Sequence, residues 1–164
     1  MNESDEFWMN QAIRAAEIAE SIGEIPIGAC LVSETGELLA VAGNRTITGS
    51  DPTAHAEILV LREAAAKIGN YRLVNSVVYS TIEPCAMCAG ALVNARVKKL
   101  IYGAKDERFG AVETHFRICD GDLLNHKIEV ISGVSAEVCR ALMQNFFRKK
   151  REIKKLKKIV VDPT

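Results

Sequence analysis

Apolar positions in this chain recur at helical spacing near both ends and gather into short strand-like runs between them. From about Asp5 to Ser21, Trp8, Ala12, Ala15, Ala16 and Ala19 share one helical face, with Ser4 placed to cap it and Gly23 just beyond its end. Ile25 to Val32 is an apolar run of strand length, Glu34-Thr35-Gly36-Glu37 marks a turn, and Leu38 to Ala42 predicts the returning strand. A polar loop from Gly43 to Thr53 contains Pro52, which suits the start of a helix and not its interior. The helix it predicts runs from about Ala54 to Ile68, with Ile58, Leu61, Ala65 and Ile68 on one face. This places His55 and Glu57 in its first turn, beside free N–H groups and partial positive charge.

Further along, Ser76 to Thr81, Lys98 to Gly103 and Lys127 to Ser132 predict strands, and a helix is expected from about Cys85 to Ala95. A last helix carries Val138, Leu142 and Phe146, with Ser135 as its cap; it is expected to extend from about 135 to 158. Ala104 to Gly110 is a polar loop, and Ala111 to Asn125 has no clear period and is expected to hold a short helix and loops. Strands and helices alternate after the first hairpin. That order predicts an α/β layered fold, residues 1–164 forming a single domain with a mostly crossover-connected sheet.

Composition narrows the class. A chain of 164 residues suffices for one domain with a sizeable core, and 48% hydrophobic with 26% charged residues is ordinary for a globular protein. No apolar run approaches the roughly 18–20 residues of a membrane span. The acidic start, Met1 to Glu6, is unlike a basic secretory signal, so a cytoplasmic location is expected. Five cysteines, of which only Cys85 and Cys88 are close in sequence, suggest metal binding more than disulfides. The zero net charge conceals an asymmetry: Arg148 to Lys158 holds eight basic residues and one acidic, leaving the rest net acidic. Such an arm suits a polyanionic partner, or is simply the solvated end of a helix.

Candidate chemistry lies in two stretches. Asp51-Pro52-Thr53-Ala54-His55-Ala56-Glu57 pairs an imidazole with a carboxylate, and Glu83-Pro84-Cys85-Ala86-Met87-Cys88 supplies two thiols in C-x-x-C spacing. One imidazole and two thiolates make three zinc ligands, which leaves a fourth tetrahedral position for water. His115, His126, Cys30, Cys119 and Cys139 lack the spacing to close the site. Charge on the metal lowers the pKa of water toward neutrality, and Glu57 is placed to carry its proton to a leaving group. The joint pattern H-x-E followed by P-C-x-x-C therefore points to a catalytic zinc site with Glu57 as proton carrier.

With these motifs the chain resembles the zinc-dependent nucleobase and nucleoside deaminases, and among them the bacterial tRNA adenosine deaminases. The resemblance covers nearly the whole chain. It includes Glu24 to Ala29, Asn44-Arg45, Asp51 to Ile58, Asn70 to Leu73, Glu83 to Ala91, Tyr102 to Asp106, Asn125-His126 and Phe146-Phe147-Arg148 with the basic tail. It implies a three-layer α/β/α cytidine deaminase-like domain with a central five-stranded mixed sheet. It further implies one Zn²⁺ per subunit, held by His55, Cys85 and Cys88, with Glu57 catalytic. Asn44 would hydrogen-bond the base, Pro84 would contact the substrate, Asp106 would lie near the target nucleotide's backbone, and Phe146, Phe147 and Arg148 near an anticodon loop. The implied reaction is hydrolytic deamination of the wobble adenosine of a tRNA to inosine, by a homodimer acting on the anticodon stem-loop.

By themselves, Asn44-Arg45 also reads as turn chemistry, Asp106 as a solvated turn residue, and one of Phe146 and Phe147 as core. The alternative function is deamination of a small free base or nucleoside such as guanine, guanosine or cytosine. Against it stand the terminal basic helix and Ala86-Met87 between the cysteines, where guanine deaminases usually have Pro-Met. The pattern departs from the tRNA-acting family after Ala111: Val112 to Asp120 replaces an expected Gly-Ser, and Glu113 is expected to add negative charge beside an RNA-facing loop.

Overall fold

The computed structural model describes the backbone of residues 3–161 and the side chains of residues 4–158. Helix α1 (Glu3–Ser21) begins before Ser4, so that serine lies within the helix. Strand β1 (Gly28–Val32) starts later than its apolar run, because Pro26 has no N–H for a ladder and Ile27 N–H turns back to Ile25 O at 2.8 Å. Then follow β2 (Leu38–Gly43), α2 (Ala56–Ile68), β3 (Val77–Ile82), α3 (Ala86–Asn94), β4 (Lys99–Ala104), β5 (Glu129–Ser132) and α4 (Ala136–Val161). Residues 111–125 form turns without a helix, since their backbone N–H groups find tertiary partners, among them the Glu83 carboxylate. Ser135 has φ of 54°, outside the extended conformation of a capping serine.

The sheet order is β2-β1-β3-β4-β5. β1 runs antiparallel to β2 and β3, whereas β3, β4 and β5 are parallel, so the sheet is mixed. Alternation along each strand sends side chains to two cores. Ala29, Leu31, Val78, Leu100 and Tyr102 face α2 and α3, packing on Val60, Leu61, Ala64 and Leu92. Cys30, Val32, Tyr79 and Ile101 face the opposite way, onto Met9, Ala12 and Ile13 of α1 and Cys139 of α4. The result is the three-layer α/β/α arrangement expected of a cytidine deaminase-like fold. Two expected core positions are instead exposed: Ile68 at the end of α2, and Val138, whose place in α4 is taken by its neighbour Cys139. No helix among the described residues is long and apolar enough to cross a membrane.

Helix α1 lies unusually close to the sheet. Its small face, Ala12, Ala15, Ala16 and Ala19, meets Gly28 and Gly43, which are paired across β1 and β2. A Cβ on Gly28 would fall 2.0 Å from Ala12 O, and one on Gly43 2.4 Å from Ala15 O. These glycines thus set the depth at which α1 packs, and with it the burial of Met9 and Ile13. Gly28→Ala is expected to lower unfolding free energy by about 1–3 kcal/mol, measured in urea. Gly90→Ala, where a methyl meets open space within α3, is expected to change it by no more than about 1 kcal/mol, in the stabilising direction. Equal responses would show that the close approach is not what holds α1.

Candidate active site

Two helix starts meet at one end of the sheet. His55 is the N-cap of α2, with φ −73° and ψ 151°, and Cys85 is the N-cap of α3, with φ −72° and ψ 174°. Both therefore stand one residue outside their helices, not inside the first turn. The extended backbone directs each side chain away from the helix that follows, and Cys88 is reached from the first turn of α3. His55 Nδ1 lies 3.6 Å from Cys85 Sγ and 3.5 Å from Cys88 Sγ, and one ligand atom from each residue falls within 4.8 Å of the other two. A tetrahedral zinc with bonds of about 2.3 Å to sulfur and about 2.0 Å to nitrogen requires N···S edges of about 3.5 Å. Donor types and spacing are thus compatible with zinc.

The electrostatics of the cluster reflect how close its three groups lie. Cys88 donates to Cys85, which together with the His55 contact brings the Cys85 thiol down to about 4. The same hydrogen bond, with burial, pushes Cys88 up. His55 is raised by its hydrogen bond to Cys85. A dication held between the three groups would satisfy both sulfurs as thiolates.

Glu57, in the first turn of α2, is 3% exposed, and its Oε2 has no hydrogen-bond partner. Its Oε1 lies 3.4 Å from Ser80 Oγ, but that hydroxyl also donates to Ile82 O at 2.8 Å and has one proton to give. Burial pushes the Glu57 carboxyl above its ordinary value. Asn44 is buried beside it, and its Oδ1 accepts from Ala56 N–H at 2.9 Å, one of the free donors at the start of α2. With Oδ1 so committed, the amide NH₂ is the group that Asn44 can offer a ligand.

His55, Glu57, Cys85 and Asn44 line a cavity of about 1010 Å³. Asp106, Phe147 and Arg148 also line it, whereas Pro84 and Phe146 do not. Pro84 is buried with its carbonyl accepting from Ala111 N–H at 2.9 Å. Phe146 is 5% exposed and packs edge-on to Phe147, which is 40% exposed, so the inward member of the pair is the first. Asp106 Oδ1 accepts from the N–H groups of Arg108 and Phe109, at 2.9 and 3.1 Å. Glu113, expected to burden an RNA-facing loop, instead accepts from the Tyr102 hydroxyl and pairs with Lys105 Nζ at 3.8 Å.

Sequence reasoning missed Arg108, Arg151 and Thr46, which also line the cavity. It missed as well the carboxylate that holds the loop carrying Asn44 and Thr46. Glu24, fully buried, accepts from Ile47 N–H at 2.9 Å, from Thr48 N–H at 2.7 Å, and from the hydroxyls of Thr48 and Thr46 at 2.9 and 3.3 Å. The only available signal was a glutamate beside a strand followed some twenty residues on by Thr-Ile-Thr, which no local rule connects.

A family model described as MafB19-like deaminase matches residues 3–151. A protein from Haemophilus influenzae described as a tRNA-specific adenosine deaminase is 47% identical over 160 residues, covering 98% of this chain and 92% of that protein. One from Bacillus subtilis with the same description is 44% identical over 151 residues, covering 92% and 93%. A solved structure from work on A-to-I editing by tRNA:A34 deaminases at the wobble position superposes with a TM-score of 0.80 at 40% identity, covering 83% of this chain and 98% of that one.

Burial alone would raise Glu24, but the hydrogen bonds from Thr48, Thr46 and Ile47 outweigh it and hold the carboxyl below its ordinary 4.5. A depressed folded pKa contributes stability that is complete above 4.5 and lost as pH falls through the lower folded value. The melting temperature of Glu24→Gln is therefore expected to lie below that of the unsubstituted protein at neutral pH. The gap should narrow as pH drops below 4.5. A gap that stays constant into acid would remove the charge of Glu24 from the account.

Proposed function

We propose a specific role for a chain that belongs to the MafB19-like deaminase family: it hydrolyses the wobble adenosine of a tRNA anticodon loop to inosine, releasing ammonia. The observation that carries this reading is the buried, unpartnered Glu57 Oε2 beside a His-Cys-Cys cluster with zinc-like spacing. The close kinship to tRNA-specific adenosine deaminases over almost the whole length supports the choice of substrate.

In this reading His55 Nδ1, Cys85 Sγ and Cys88 Sγ hold one Zn²⁺ per chain. Bound there, the ion would supply Lewis acidity that makes hydroxide available near neutral pH. Glu57 Oε2 accepts the proton released from water and carries it to the departing amine. Its burial and its unpartnered oxygen suit a group that must both take and give a proton. Asn44, its Oδ1 turned to the Ala56 N–H, offers its amide NH₂ to a ring-nitrogen acceptor of the purine. The base must leave its stack to enter, and Phe147 at the cavity wall offers a face for it. Arg108, Arg148 and Arg151 line the same cavity and face the polyanion outside, where α4 continues as an exposed basic helix.

The reading includes a cytoplasmic location, consistent with a tRNA substrate, and a homodimer. Tyr71, Val74 and Phe116, each at least 60% exposed, give apolar surface for a second copy to cover. A light-scattering mass of one chain, 17.9 kDa, would remove the dimer from it.

The decisive experiment compares ammonia release from an anticodon stem-loop bearing wobble adenosine with release from free guanine, guanosine and cytosine. Activity on the stem-loop is expected, with a fall of at least about 10³-fold for Glu57→Ala and no loss of zinc. Activity confined to the small molecules would transfer the site to a different substrate class, and a Glu57→Ala protein that stays active would end its proton-carrying role.

A further inference from the structure

Glu83 stands between β3 and the Cys85 ligand and is 2% exposed. Its position in the motif suggests service to the metal, but its carboxylate turns into the loop of residues 105–114. Oε1 accepts from three successive backbone N–H groups, those of Val112, Glu113 and Thr114, at 3.1, 2.7 and 2.9 Å. Oε2 accepts from Asp106 N–H at 3.2 Å and from the Thr114 hydroxyl. Five donors saturate a carboxylate, which has about four lone-pair positions. Glu83 thus has no acceptor left for water or substrate, in contrast to Glu57.

The loop closes on Glu83 from both ends. Asp106 lies at its start and residues 112–114 at its finish, and Gly110 passes so near that a Cβ there would sit 2.4 Å from Oε2. Gly110 N–H returns to Asp106 O at 3.0 Å, and Gly110 also bridges to Cys85. Between these anchors the chain carries Arg108 and Phe109, both cavity-lining and both bound through their N–H groups to Asp106 Oδ1. Phe109 is 69% exposed, so packing of its own side chain does not hold it in place. What holds this wall is the turn, and what holds the turn is Glu83.

We propose that Glu83 is a positioning residue: it locks the Asp106–Phe109 wall of the cavity in register with the Cys85 ligand two residues away, and so sets how the substrate is seated. Glu83 borders the cavity, but both of its carboxylate oxygens are turned into the loop and spent on its donors. The inference rests on the tRNA reading above, because the wall is scored by its effect on that substrate.

Glu83→Gln keeps the volume but turns one oxygen into a donor that must face other N–H or O–H groups. KM for the anticodon stem-loop is expected to rise about tenfold, with kcat within about twofold and zinc still at one per chain. In a protein already carrying Arg108→Ala and Phe109→Ala, the same substitution is expected to add less than about twofold, since the side chains it positions are gone. Thr114→Val, which deletes only the hydroxyl donor, should give a smaller KM increase of about threefold with the same dependence on the background. It serves if Glu83→Gln does not fold.

A loss of zinc and kcat with KM unchanged would assign Glu83 to the metal site and overturn the proposal. So would an unchanged KM, or a full effect in the Arg108→Ala, Phe109→Ala background. An unsubstituted chain inactive on the stem-loop overturns the tRNA reading and this inference together. An active chain that is indifferent at Glu83 overturns the inference alone.

Discussion

His55, Cys85 and Cys88, brought by the starts of two helices, place a nitrogen and two sulfurs within a few ångströms of one another, and much of the molecule is arranged to make that possible. His55 and Cys85 are N-cap residues in extended conformation, so each side chain points past the start of its helix toward the other. Their meeting depends on α2 and α3 lying side by side on one face of the sheet, over a common core of Val60, Leu61, Leu92 and Leu100. The Asn44 side chain joins this arrangement by taking the Ala56 N–H, so the start of α2 is tied to the loop that follows β2. The opposed shifts of the two thiols, Cys85 down and Cys88 up, reflect how closely these groups have been brought together.

Three buried glutamates surround the cavity, and their hydrogen bonds separate their roles. Glu24 and Glu83 are each saturated by backbone N–H groups and threonine hydroxyls, which holds both carboxyls below their ordinary value despite burial. Glu57 is equally buried but keeps an unpartnered oxygen, and its carboxyl is raised. The first two are ties between distant segments, each spanning more than twenty residues to close a loop. The third keeps one oxygen that the fold does not use. An unsatisfied buried acceptor costs stability, and its presence here is what a functional site looks like in energetic terms.

The substrate side is built differently from the chemical side. The cavity is bounded by β-sheet ends and helix starts around the cluster, but its outer wall is α4 and the loop that Glu83 holds. That wall brings Arg108, Arg148 and Arg151 together, although they come from segments about forty residues apart. The charged outer wall is thus separate in the fold from the His-Cys-Cys cluster. The divergent segment after Ala111 illustrates this, since Glu113 is absorbed by Tyr102 and Lys105 without reaching the cluster.

Periodicity was enough to read the alternation of strands and helices, and spacing was enough to read His55, Glu57, Cys85 and Cys88 as one zinc-type site, because ligand chemistry is local and restrictive. The family resemblance supplied the five-stranded mixed sheet and the candidates Asn44, Pro84, Asp106, Phe146, Phe147 and Arg148, of which all but Pro84 and Phe146 line the cavity. Local pattern does not register which of two adjacent aromatics turns inward, that the Pro84 carbonyl is spent on Ala111, or that residues 111–125 forgo a helix. Those outcomes depend on hydrogen-bond partners far away in the chain. The clamps at Glu24 and Glu83 belong to the same class: a buried carboxylate declares its partners only when the fold has brought their N–H groups to it. Sequence by itself thus determined the reactive groups and the layered class, through chemistry and period, whereas tertiary structure alone decided which polar groups were already satisfied and therefore which remained free to act.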